Sequence, residues 1–241
     1  MSSLQIHTTY ENPLTSLEAL LNAEELASLE ITGDFIKSNL PFSKLVHLNE
    51  LENLVLETDL GKQAAFVNQQ TQLRYLHLKK LDASGLQVNP KLEYLRIDTA
   101  LKNEQLLPGL FPDLKTLHLH GCSRLTDFGF LSAFSMLEVL YVGYNAHLTG
   151  LPEMKCALKI KSIKLPNAYN FTNGKSLLQF TNLETIWLTS HDKSLTLSVE
   201  DFEALQQLPQ LKTVYTVWGR KTIPEVENIY HKTGWVNSGL G

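Results

Sequence analysis

One six-residue pattern, apolar-x-x-apolar-x-apolar, recurs along most of the chain. It reads Leu26-Ala-Ser-Leu29-Glu-Ile31, Leu51-Glu-Asn-Leu54-Val-Leu56, Leu73-Arg-Tyr-Leu76-His-Leu78 and Leu92-Glu-Tyr-Leu95-Arg-Ile97. It continues as Leu114-Lys-Thr-Leu117-His-Leu119, Leu137-Glu-Val-Leu140-Tyr-Val142, Ile160-Lys-Ser-Ile163-Lys-Leu165 and Leu183-Glu-Thr-Ile186-Trp-Leu188, and ends in a degenerate Leu211-Lys-Thr-Val214-Tyr-Thr216. Successive first positions are 25, 22, 19, 22, 23, 23, 23 and 28 residues apart, a near-constant period. Side chains alternate along a strand, so the fourth and sixth positions share one face. A lone strand of this kind cannot bury its apolar face. Stacked copies can, each touching only its neighbours. The pattern predicts an α/β fold: a curved solenoid of about nine repeats over 26–217, with a parallel sheet on the concave side and helices and irregular turns on the convex side.

The intervening segments carry weaker signals. Ser198-Val-Glu-Asp201 has the form of a capping box, and Val199, Phe202, Leu205 and Leu208 follow at three-residue spacing before Pro209. Residues 61–70 and 127–135 read as shorter helical turns, with Phe128, Phe130, Phe134 and Met136 as convex-side core. Solenoid ends must be covered. Residues 1–25 are therefore expected to form an N-terminal helical cap, with the helix over 12–25. Residues 218–241, with Trp218, Val226, Ile229, Tyr230 and Trp235, are expected to form an aromatic C-terminal cap on the same continuous domain.

The copy Leu114-Lys-Thr-Leu117-His-Leu119-His-Gly-Cys122-Ser-Arg-Leu125 resembles the leucine-rich repeat family, whose consensus is LxxLxLxxN/CxL. Cys122 takes the ninth position, as in cysteine-containing repeats of that family, and Asn145 takes it in the next copy, before Leu148. Elsewhere the ninth position is Asp34, Asp59, Leu81, Ala100, Ala168 or His191, so the polar ladder is interrupted. The resemblance covers roughly residues 26–217. It implies a rigid scaffold with a binding surface on its concave face.

Composition narrows the class. The chain has 241 residues, 43% hydrophobic and 19% charged, which excludes a disordered protein. No apolar run approaches the roughly 20 residues of a membrane span. The start, Met1 to His7, has neither a basic nor an apolar signal region. Two cysteines suit a reducing compartment. A cytoplasmic protein is expected, and leaderless delivery as an effector is also compatible. The net charge of −4 argues against bulk nucleic-acid binding. Its distribution is uneven: −8 over residues 1–60, +5 over 61–165 and −1 over the remainder. Such polarity suits an oriented partner with a complementary, acidic patch.

If positions four and six point inward, positions three, five and seven face out from the concave side. Those rows gather Tyr75, His77, Tyr94, Arg96, His118, His120, Tyr141, Lys164 and Trp187. Aromatic and arginine side chains of this kind dominate binding hot spots. They are the candidate partner-binding residues, with Tyr141 and Trp187 as anchors. Second positions, including Arg74, Glu93, Lys115, Glu138, Lys161, Glu184 and Lys212, alternate in sign and predict a ladder of exposed ion pairs.

Catalytic signatures are missing: there is no GxGxxG after a strand, no GxxxxGK[ST], no HExxH, no GxSxG and no CxxC pair. The remaining candidate chemistry is His118-Leu-His120, two imidazoles on one strand face, with Asp98 on the neighbouring strand as a third ligand. The expectation is a non-enzymatic, monomeric protein-interaction scaffold without cofactor or metal. Three alternatives stand beside it: an inhibitor or immunity-type protein that blocks another protein, a metal-dependent enzyme using His118, His120 and Asp98, and an RNA-binding module using Tyr75, His77, Lys79 and Arg96.

Overall fold

The computed structural model describes residues 2–23, 26–33, 36, 40–45, 47–59, 64–189, 197–217 and 224–235. The chain divides into two compact units, residues 1–114 and 115–241.

In the first unit, strands β1 (Ser2–His7), β2 (Leu26–Thr32), β3 (Asn53–Asp59), β4 (Tyr75–Asp82) and β5 (Tyr94–Lys102) lie side by side in chain order, each parallel to the next. The register is the one the motif dictates. Leu29, Leu54, Leu76 and Leu95 stand opposite one another, as do Ile31, Leu56, Leu78 and Ile97. All eight are fully buried. In the second unit, β6 (Thr116–His120), β7 (Val139–Gly143), β8 (Ser162–Pro166), β9 (Thr185–Thr189) and β10 (Thr213–Val217) repeat the arrangement. Leu117, Leu140, Ile163, Ile186 and Val214 form one buried row there. Each motif copy thus supplies one strand, and each unit is an α/β stack of leucine-rich repeats.

Buried phenylalanines line the wall behind the strands. Phe42 and Phe66 pack with ring centroids 5.7 Å apart in the first unit. Phe128, Phe130, Phe134, Phe171, Phe180 and Phe202 are buried in the second. The wall is built mainly of 3-10 turns, such as Gly129–Ala133 and Gly174–Gln179. A 3-10 turn rises about 2.0 Å per residue against 1.5 Å for an α-helix, so it returns a 22- or 23-residue repeat with fewer residues. Short α-helices occur at α1 (Ala64–Gln69) and α2 (Leu107–Leu110). The longest spacing holds α3 (Val199–Leu205), whose start is the predicted capping box: the Ser198 hydroxyl accepts from the Asp201 N–H, and the Asp201 carboxylate accepts from the Ser198 N–H.

Two expectations need correction. The segment read as a helix over 12–25 contains, among its described residues, an isolated bridge from Leu14 to Ile36 and the 3-10 turn Glu18–Leu20, and no α-helix. The start of the chain is not helical either: Ser2–His7 adds a strand ahead of the first motif copy, with Leu4 opposite Leu29 and Ile6 opposite Ile31. Extending a sheet satisfies the edge of β2, which a helix laid over the core would leave unpaired. At the other end, α4 (Pro224–Thr233) buries Val226, Ile229 and Tyr230, and Trp235 packs edge-on against Tyr230 at 5.9 Å. Gly234, at φ +68°, makes the left-handed turn between them. Trp218 lies outside the described residues.

Besides an irregularity at Ser2/Ser3 where β1 meets β2, regular pairing breaks on both sides of β4. Between Leu56 and Asp59, β3 carries one more residue than β4 does between Leu78 and Lys80. β5 does the same between Ile97 and Ala100. Lys79 therefore faces a bulge on both flanks. A bulge places two residues against one and re-aims the side chains beside it.

Candidate functional site

The face of each sheet opposite the wall carries the third, fifth and seventh positions of the motif. In the first unit, Tyr75 and Tyr94 stack with centroids 4.3 Å apart and planes 11° from parallel. Their strands place them in register, so the stack is set by the backbone. Burial and the adjoining Tyr75 push the Tyr94 phenol well above its usual range, keeping it neutral. Beside the stack, a shallow hollow of about 470 Å³ opens over Glu30, Val55, Glu57, Tyr75, His77 and Arg96.

A compact ionic cluster forms its floor. His77 is buried, at 6% exposure, and its Nε2 lies 2.5 Å from Asp98 Oδ2. Arg96 Nε donates to the other oxygen, Asp98 Oδ1, at 2.7 Å. Burial by itself would raise the Asp98 carboxyl, but the hydrogen bonds from His77 and Arg96 outweigh it and hold the group below the usual carboxylate range. Glu57 joins from β3, one of its oxygens accepting the Gly33 N–H at 3.0 Å. One ligand-type atom from each of Glu57, His77 and Asp98 lies within 4.8 Å of the other two.

That convergence differs from the trio expected from the sequence. Asp98 meets His77 and Arg96, and His118 and His120 each stack on Tyr141. Strict alternation hides Glu57, because it sets Lys79 between the two carboxylates in one row. The paired bulges bring both carboxylates to His77 instead.

In the second unit the surface is aromatic. The Tyr141 ring lies 4.9 Å from His118 and 5.9 Å from His120, and its hydroxyl is 3.0 Å from His120 Nδ1. Tyr144, 46% exposed and at φ +56°, tilts against His120 at 4.7 Å and extends the group. Tyr141 lies over Gly143, where a Cβ would sit 2.7 Å from the ring. Further along, Lys164 Nζ sits 4.5 Å over the Trp187 ring, and Trp187 packs against Tyr215 at 4.9 Å. Sequence rows include Tyr215 without singling it out and pass over Tyr144, which lies just past the end of its strand.

Tyr75, Tyr94, Arg96, His118, His120, Tyr141, Lys164 and Trp187 are half-buried. His77 is the exception, buried beneath its neighbours. Position-two pairs form as a ladder: Arg74–Glu93 at 3.4 Å, Lys161–Glu138 at 3.0 Å and Lys212–Glu184 at 3.5 Å. They are exposed and each contributes at most about 1 kcal/mol. Cys122 and Cys156 are buried thiols outside any disulfide, and burial pushes the Cys156 thiol up, away from nucleophilic chemistry.

No protein-family model and no curated protein matches this chain. Among solved structures, the crystal structure of an internalin from Listeria monocytogenes aligns over 96% of this chain and 85% of that one, at 18% sequence identity and a TM-score of 0.46. The leucine-rich repeat architecture stands on the register of the chain's own strands. Among the described residues, no helix is long and apolar enough to cross a membrane.

Proposed function

We propose that the chain is a non-enzymatic scaffold that binds a partner protein through the concave, open face of its sheet. The observation that carries this reading is the pre-stacked aromatic surface on β6 to β10. Tyr141 is held between His118 and His120, and Trp187 between Lys164 and Tyr215. Rings fixed in this way lose little side-chain freedom on binding, so more of the desolvation of their area appears as affinity. Tyr141 and Trp187 are the anchors.

The partner presents an acidic patch to this part of the face. On β6 to β9, the third, fifth and seventh positions include His118, His120 and Lys164 and no carboxylate. Arg96 serves the partner less directly, because Asp98 already holds its guanidinium. A cytoplasmic setting fits two buried thiols outside any disulfide, and the protein acts as a monomer.

The test is affinity capture from the source lysate with the wild type and with Tyr141→Ala/Trp187→Ala. A protein retained by the wild type and lost from the double variant, at an unchanged thermal midpoint, is the expected result. Equal retention by both removes the interface from this face.

A further inference from the structure

We propose that Glu57, His77 and Asp98 bind one divalent transition-metal ion, zinc by preference, on the open face of the first unit. Three strands each contribute one ligand. The ligand atoms already lie within 4.8 Å of one another, and His77, which supplies the nitrogen, is buried beneath the hollow. Around a zinc ion with bonds of 2.0–2.2 Å, tetrahedral neighbours stand about 3.4 Å apart. Glu57 therefore closes by at most about 1.4 Å, and the His77–Asp98 contact opens to admit the ion.

The surroundings are arranged as metal sites require. Each carboxylate has one oxygen fixed from outside the trio, Glu57 by the Gly33 N–H and Asp98 by Arg96 Nε. The second oxygen of Asp98 faces His77 Nε2 within the trio. Outer-shell donors of this kind orient the ligands before the ion arrives. Bulges on both flanking strands turn Glu57 and Asp98 toward His77, and bulges are over-represented where a site needs side chains re-aimed. One imidazole with two carboxylates favours zinc over magnesium or calcium, which prefer all-oxygen shells. Arg96 opposes the ion with one positive charge. Glu57 and Asp98 set two carboxylates against it.

This site does not rest on the scaffold reading; zinc binds whether or not a partner does. The experiment titrates metal-free protein with zinc chloride against a chromophoric chelator at pH 7.5, alongside cobalt(II) absorption and a zinc-dependent thermal shift. One equivalent is expected. Glu57→Gln should weaken binding at least tenfold while keeping an acceptor for Gly33. His77→Gln should abolish both the cobalt spectrum and the thermal shift. His118→Ala/His120→Ala, which alters the other histidine pair, should leave affinity within twofold. Absence of binding overturns the proposal. So does binding indifferent to Glu57 and His77, or binding lost with His118 and His120, either of which marks adventitious histidine–metal contact. Glu57→Gln removes charge without volume, so the result stands even if the His77 variant folds poorly.

Discussion

The Asn145 side-chain amide donates to the Cys122 main-chain carbonyl at 2.9 Å, joining the ninth positions of two successive repeats inside the core. The same Nδ2 reaches the Leu125 carbonyl at 3.0 Å, while Oδ1 accepts from the N–H groups of His147 and Leu148 at 2.7 and 3.1 Å. One fully buried side chain therefore satisfies four main-chain groups where two turns lack regular partners. Each buried polar group left unpaired costs about 1–3 kcal/mol. Asn145→Ala is expected to lower unfolding stability by about 3 kcal/mol or more in urea denaturation. A loss below about 1 kcal/mol would show that water replaces the amide and that the ladder adds little here.

Gly143 keeps Tyr141 in place by having no side chain. A Cβ there would lie 2.7 Å from Tyr141 Cε1 and 2.9 Å from Pro166 Cγ, inside contact distance of both. The ring sits on the open face and can swing away, so Gly143→Ala should cost only about 1 kcal/mol of stability. The larger effect falls on recognition: with Tyr141 displaced from His118 and His120, partner retention should drop several-fold. Partner binding at wild-type strength would mean that the stacked arrangement is not the bound one.

Tyr230 predicts a pH effect. Its hydroxyl donates to the Val214 carbonyl and also contacts Thr216 Oγ1, each at 2.9 Å, tying α4 to β10. Burial pushes the phenol up to about 12 from its ordinary value of 10.0. A raised pKa means that the folded state holds its proton after the unfolded chain has lost it. The associated stability is complete below about pH 10 and is lost as the pH rises toward about 12. Tyr230→Phe should be less stable at neutral pH by about 1 kcal/mol, through the lost hydrogen bond, and should show a shallower alkaline decline. Parallel stability curves for the two proteins between about pH 10 and 12 would assign that decline elsewhere.

Much of the candidate surface is legible from residue order. Tyr75, Tyr94, Tyr141, Lys164 and Trp187 fall on the open face because the motif sets strand phase, and phase dictates which side chains face out. Glu57 is not legible. Its approach to His77 depends on one extra residue in β3 and another in β5, and a local insertion leaves the apolar pattern untouched. The engagement of Arg96 by Asp98, two residues away on the same strand, is hidden for a related reason: both lie on one face, but only side-chain torsions decide that they meet. The N-terminal segment defeats the spacing rule because Leu17, Leu20 and Leu21 have helical spacing, while strand pairing at β2 and a single 3-10 turn satisfy the backbone instead.

The sequence by itself determined the repeat, the strand register and the division of side chains between core and open face. Each of these comes from apolar spacing read through a two-residue strand period and the need to bury leucine rows together. The tertiary structure alone decided which polar side chains meet: His77 with Asp98 and Glu57, His120 with Tyr141, Lys164 with Trp187. Hydrophobic burial is insensitive to direction, so a pattern suffices to specify it. Hydrogen bonds and ring stacking depend on ångström-scale distance and on angle, and bulges, rotamers and neighbouring strands set those only once the chain has folded.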